Sequence, residues 1–134
     1  MRKYISFLVV ISALVGGCTA DKPEIRVQRF GSVTGLKPEK LDYYKELHAD
    51  AWPAVLETIR ECNIQNYSIY LQQLGDEYYL FSYFEYTGDD FEADMKRMAD
   101  DPDTQRWWKE TDPCQLPLDD DGVWTTMEEV FHTD

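Results

Sequence analysis

An α+β fold with the element order βαββαβ is predicted by three observations. Two runs dense in β-branched and aromatic residues, 63–74 and 77–86, are separated only by Gly75 and Asp76, which reads as a hairpin. Apolar residues recur at helical spacing on both sides of that hairpin. Strand-like runs open and close the region 25–134.

Taken in order, residues 25–35 ("IRVQRFGSVTG") alternate loosely and end on glycine, as a first strand would. In residues 37–62, Leu41, Tyr44, His48, Ala51 with Trp52, Val55 and Ile59 recur at threes and fours. Pro38 and Glu39 suit a first helical turn, and Pro53 is expected to kink or split this helix. The hairpin follows. Phe91, Met95 and Met98 give a second helix, capped by Asp89 or Asp90. "PDTQRWWKE" is a further short helix. Residues 112–123 read as loop, and 124–134 as the final strand. This order is the ferredoxin-like one.

The strand 78–86 is apolar on both faces. Tyr79, Phe81 and Tyr83 point one way, and Tyr78, Leu80, Phe84 and Tyr86 the other. Two helices cover one face of such a sheet. The other is expected to meet the same face of a second copy, giving a homodimer with a pocket between sheet and helices in each subunit.

The first seventeen residues do not belong to this fold. Arg2 and Lys3 precede an apolar run, Ile5 to Val15, which is short for a membrane span. Leu14-Val15-Gly16-Gly17-Cys18 resembles the bacterial lipobox. The expectation is a signal peptide over 1–17, lipidation of Cys18, a short tether over 18–24 and a domain over 25–134. The product would be an exported lipoprotein anchored to a membrane. The tether Thr19–Glu24 reaches about 20 Å. Removing seventeen of 134 residues, and with them two of thirteen basic side chains, leaves 117 residues with 11 Lys+Arg against 26 Asp+Glu. A net charge of −15 repels phosphate backbones, so nucleic acid is excluded as a partner.

Cys62 and Cys114 are the remaining cysteines; export permits a disulfide, and two free thiols are the simpler reading. With no CxxC and two distant histidines, no metal site is expected. Asp119-Asp120-Asp121 lacks the spaced ligands of a calcium loop and reads as a solvated turn. His132 is expected to be exposed. Tyr44, His48 and Trp52 stand at i, i+4 and i+8 and would share one helical stripe. Such a stripe packs a core, or it sets a proton-shuttling imidazole among rings at a pocket. Tyr67 would share its direction with Ile69 and Leu71. Trp107 and Trp108 sit together in a polar, acidic stretch, where they either pack or form a platform for a flat ligand.

"YKELHADAWP", "NYSIYL", "QRWWK" and "EEVF", in this order, resemble the L-rhamnose mutarotase family, small sugar-anomer isomerases of dimeric α/β-barrel type. The likeness spans 25–134. It implies His48 as proton donor and Tyr44, Tyr67, Trp107 and Trp108 as sugar-binding residues. The reaction implied is interconversion of the α and β anomers of L-rhamnose or a related 6-deoxyhexose. No metal or nucleotide cofactor is needed. A tyrosine or a water would serve the anomeric hydroxyl while His48 serves the ring oxygen. Ala49-Asp50-Ala51 stands where the family commonly reads Asn-Pro-Ile, and the loop 112–123 also departs. A non-catalytic sugar-binding accessory lipoprotein with the same fold is the alternative.

Overall fold

The computed structural model describes residues 26–133. The expected signal peptide 1–17 and the lipidated cysteine and tether 18–24 lie outside the described residues. Nine regular elements follow one another: β1 (Gln28–Leu36), α1 (Leu41–Ala49), α2 (Pro53–Glu61), β2 (Ile64–Leu74), β3 (Glu77–Tyr86), α3 (Phe91–Asp100), α4 (Pro102–Thr111), β4 (Gln115–Leu116) and β5 (Thr125–Met127). Short 3₁₀ turns occupy Pro38–Lys40 and Asp112–Cys114.

The sheet runs β2-β3-β1, and both β4 and β5 pair with the remaining edge of β1, all antiparallel. This is the strand order of a ferredoxin-like α+β fold, with the helices on one face. The hairpin turns at Gly75, whose φ of 63° is the left-handed conformation that a two-residue loop demands first. Between Gln65 and Ser68 the register of β2 slips, with Asn66 at φ 50°, forming a bulge.

Pro53 splits the long helix. The residue before a proline is pushed out of the helical region, and Trp52 is extended at φ −62°, ψ 129°. The helix α1 therefore stops at Ala49 and α2 starts afresh. The side chain of Asp90 caps α3 by accepting from the Ala93 N–H, and that of Asp101 caps α4 by accepting from the Thr104 N–H.

Two sequence expectations are corrected. The final strand is three residues long, not eleven, and the loop 112–123 contains β4. Both follow from the one free edge of β1: Leu36 and Gly35 are taken by Gln115 and Leu116, leaving Val33 to Gly31 for Thr125 to Met127. Beyond β5 the contact continues as an ion pair, Arg29 Nε to Glu129 Oε2 at 2.8 Å. Gly35 makes the β4 pairing possible. A Cβ there would lie 2.9 Å from both the Cβ and the carbonyl oxygen of Leu116.

The core lies between sheet and helices, around Leu36, Tyr44, Leu80 and Cys114. Cys62 and Cys114 are buried free thiols. At the α3 end the Tyr86 hydroxyl donates to Asp94 Oδ2 at 2.7 Å and accepts from the Asp90 N–H at 3.0 Å. The Asn63 amide donates to the same carboxylate oxygen at 2.7 Å. Burial, then the Asp94 carboxylate, pushes the Tyr86 hydroxyl up to about 12. The opposite sheet face carries Tyr79, Phe81 and Tyr83 half-buried, with Tyr70 64% exposed beside them.

Candidate functional site

Tyr44 and His48 share one face of α1, a turn apart, and their rings stack with centroids 4.2 Å apart. His48 Nδ1 lies 2.9 Å from the Tyr44 carbonyl oxygen, one turn back along α1. A carbonyl only accepts, so Nδ1 carries the hydrogen, and Nε2 is left for the cavity that the ring lines. Burial lowers the pKa of His48, and the Tyr44 carbonyl opposes that shift. The resting imidazole is therefore neutral near pH 7, with a lone pair on Nε2.

Trp52 does not continue the stripe. It stands outside α1, in the extended link before Pro53, and meets Trp107 edge-on at 5.3 Å instead. The Arg106 guanidinium lies 5.9 Å from the Trp52 ring. Trp107 also closes on His48, edge-on at 5.2 Å. Neighbours on a helix diverge by about 100°, so the two tryptophans separate. Trp107 joins Thr104 and Thr111 on the buried face of α4 and is 8% exposed, while Trp108 on the shoulder is 38% exposed.

Two adjoining cavities, about 850 and 480 Å³, lie between this helical layer and the sheet, in the range of small-molecule sites. Tyr44, His48, Tyr67, Ile69 and Trp107 line both. Trp108 lines the second. The bulge in β2 aims Tyr67 into this space, edge-on to Phe84 at 5.6 Å. Although 43% of Tyr67 is exposed, its hydroxyl is desolvated enough to be pushed above its ordinary value. Burial also pushes the Tyr44 hydroxyl well above its ordinary value, against the Gln115 hydrogen bond, which lowers it. Repulsion from the Tyr67 hydroxyl adds to the rise. Tyr44 thus stays protonated across the neutral range and cannot take a proton from a ligand.

Several site residues carried no sequence signal. Gln115 and Trp124 line the second cavity from β4 and just before β5, and Asp112 faces it from the 3₁₀ turn. The Asp112 carboxyl is raised by burial. Ser32 and Ser82, cross-strand partners, share a 2.8 Å hydroxyl contact on the floor. His132 is exposed. Asp119 accepts from the Asp121 N–H and the Thr125 hydroxyl, which makes it a turn residue. Among the described residues, no group of three or more His, Cys, Asp or Glu is arranged to hold a metal ion.

The family model described as L-rhamnose mutarotase matches residues 29–133. The L-rhamnose mutarotase of Oceanobacillus iheyensis is 32% identical over 109 residues, 81% of this chain and 100% of that protein. That of Bacillus subtilis is 31% identical with the same coverage. Among solved structures, the L-rhamnose mutarotase FA22100 from Formosa agariphila aligns with a TM-score of 0.61 at 22% identity, covering 80% of this chain and 99% of that one. The tetracenomycin F2 cyclase of Streptomyces glaucescens aligns at 0.50 and 16%, covering 79% and 95%. Likeness this distant shows the fold alone, and a fold does not choose its chemistry.

Proposed function

The chain belongs to the L-rhamnose mutarotase family, isomerases acting on carbohydrates, and from that premise we propose that it interconverts the anomers of L-rhamnose or a closely related 6-deoxyhexose at His48. The observation that supports this most directly is the histidine itself. Its Nδ1 is tied to the Tyr44 carbonyl, and its other nitrogen is left to a cavity edged by two tyrosines and three tryptophans.

Neutral Nε2 must gain a proton before it can give one. In the proposed cycle it takes the proton of the anomeric hydroxyl as the bond from C1 to the ring oxygen breaks, its electron pair passing to that oxygen. The imidazolium then returns the proton to the ring oxygen, yielding the open aldehyde. Closure on the other face reverses both transfers. Tyr44, held protonated, donates a hydrogen bond and does not act as the base. Asp112 or a water can relay a proton alongside. Trp107 and Trp108 offer ring faces to the C–H side of the sugar and an N–H to its hydroxyls. The test is magnetisation transfer between α and β anomeric protons over a panel of deoxy sugars and hexoses. Exchange accelerated by the wild type and not by His48→Asn supports the reading; no exchange with any sugar rejects it in favour of a binding protein.

The Leu14 to Cys18 stretch supports an exported, lipid-anchored form. Labelled palmitate should enter the wild type and not Cys18→Ser; equal labelling of both sinks the anchor. The uncovered aromatic sheet face supports a homodimer, joined sheet to sheet.

A further inference from the structure

We propose that Gln115 is a specificity-determining contact of this site: its amide turns the Tyr44 hydroxyl towards the cavity and accepts from a neighbouring hydroxyl of the same sugar, so that the site selects two adjacent ring hydroxyls. This rests on the mutarotase reading for its choice of ligand, but not for its geometry.

Gln115 is 4% exposed and opposes Leu36 across the β1–β4 pairing, on the helix side of the sheet. Its Nε2 lies 3.4 Å from the Tyr44 hydroxyl oxygen and donates to it. Its Oε1 is buried and has no hydrogen-bond partner among the described residues. A buried acceptor left unmet is costly, and few survive in folded proteins unless something else meets them. Rotating the amide by half a turn does not remove the problem. The Tyr44 hydroxyl would then donate to Oε1, and an NH₂ group with two donors would be left unmet in its place.

With Gln115 donating to it, the Tyr44 oxygen uses a lone pair on the amide and keeps its own hydrogen for another partner. The cavity shared with His48, Trp107 and Trp124 lies beside it. One donor, Tyr44 O–H, and one acceptor, Gln115 Oε1, therefore stand side by side on groups that already touch. A hydroxyl that accepts from Tyr44 and a hydroxyl that donates to Gln115 must then be neighbours on the sugar ring. A lone hydroxyl meets only half of the pair, and an apolar ligand leaves the amide oxygen unmet.

The experiment uses the full-length protein and a series of L-rhamnose analogues each lacking one hydroxyl. Anomer exchange gives kcat and KM, and quenching of tryptophan fluorescence gives affinity independently. The wild type should disfavour two analogues with adjacent missing hydroxyls by about 10- to 100-fold, the worth of one buried hydrogen bond. Gln115→Met, similar in length and without polar atoms, should lose that discrimination. Its KM for L-rhamnose should rise about 10-fold or more, while kcat changes less. Gln115→Glu keeps an acceptor but draws the Tyr44 proton onto itself. It should stay sensitive to the analogue lacking the donating hydroxyl and become indifferent to the one lacking the accepting hydroxyl. If either folded variant keeps the wild-type pattern across the series, or the wild type shows no such pattern, Gln115 is not a sugar contact. Should the wild type exchange no anomers, the mutarotase reading fails, and the fluorescence series still decides the role of Gln115.

Discussion

On one face of β3, Leu80, Ser82 and Tyr86 are buried against helices and cavity; on the other, Tyr79, Phe81 and Tyr83 stay half-exposed with Tyr70 beside them. The two faces draw on the same aromatic residue types. The helix face encloses space and leaves polar atoms inside it, at Tyr44, His48 and Gln115. The open face encloses nothing and offers a flat aromatic surface. Tyrosine shows the contrast best. Tyr44 is raised chiefly by burial, whereas Tyr79 is raised chiefly by the Glu77 carboxylate that accepts its hydrogen bond at 2.6 Å. Burial alone does not mark a site, since it also leads the rise of Tyr83 on the open face and of Tyr86 at the α3 end.

The contrast can be broken on the enclosed face first. His48→Asn should slow anomer exchange by roughly 10²–10⁴-fold while the sedimentation mass of the protein is unchanged. Exchange at the wild-type rate would remove His48 from the chemistry. Trp107→Ala should cost about 3–5 kcal/mol of stability in chemical denaturation, because the side chain packs against both His48 and Trp52. The open face answers differently. Tyr70→Glu with Phe81→Glu should weaken self-association by about 2 kcal/mol or more, read by sedimentation against concentration, with exchange per folded subunit retained. A wild type that stays monomeric at micromolar concentration would reject the sheet-to-sheet dimer.

Smaller effects sharpen the division. Trp108→Ala should weaken sugar binding by about 1 kcal/mol and barely move stability, unlike its neighbour. The pH response should come from the enclosed histidine. Its pKa in the fold is lower than the 6.5 of the free side chain, so the unfolded chain binds the proton more readily. Its stabilising contribution is complete above pH 6.5 and is lost as pH falls through the folded value. Exchange should fall over the same acidic range as Nε2 loses its lone pair. Denaturation and exchange measured from pH 5 to 8, with His48→Asn as reference, test both; exchange that rises towards acid would make the imidazolium the starting form.

The elements that local chemistry dictates were legible in the sequence. The hairpin around Gly75, the break at Pro53 and the cap of α3, expected at Asp89 or Asp90 and found at Asp90, follow from residues within a few positions of each other. So does the convergence of Tyr44 and His48, one turn apart on a helix. Trp52 was misplaced because the spacing rule was carried past Ala49, where the approach to Pro53 ends the helix. The divergence of Trp107 and Trp108 was available from helix geometry alone. Gln115 was not. It is polar, sits in a loop-like stretch between prolines, and is buried only because β4 finds an edge of β1 about 80 residues away in sequence.

That edge is reached only because residue 35 has no side chain. Gly35 lies on the open face of the sheet, away from the cavity that Gln115 lines, yet it sets how closely the strand bearing Gln115 approaches. An alanine there would lever Leu116 outwards and carry Gln115 with it by a fraction of an ångström. Under the role proposed for Gln115, substrate preference would shift through a position that lines neither cavity. Gly35→Ala should raise KM more than it lowers kcat, measured by anomer exchange.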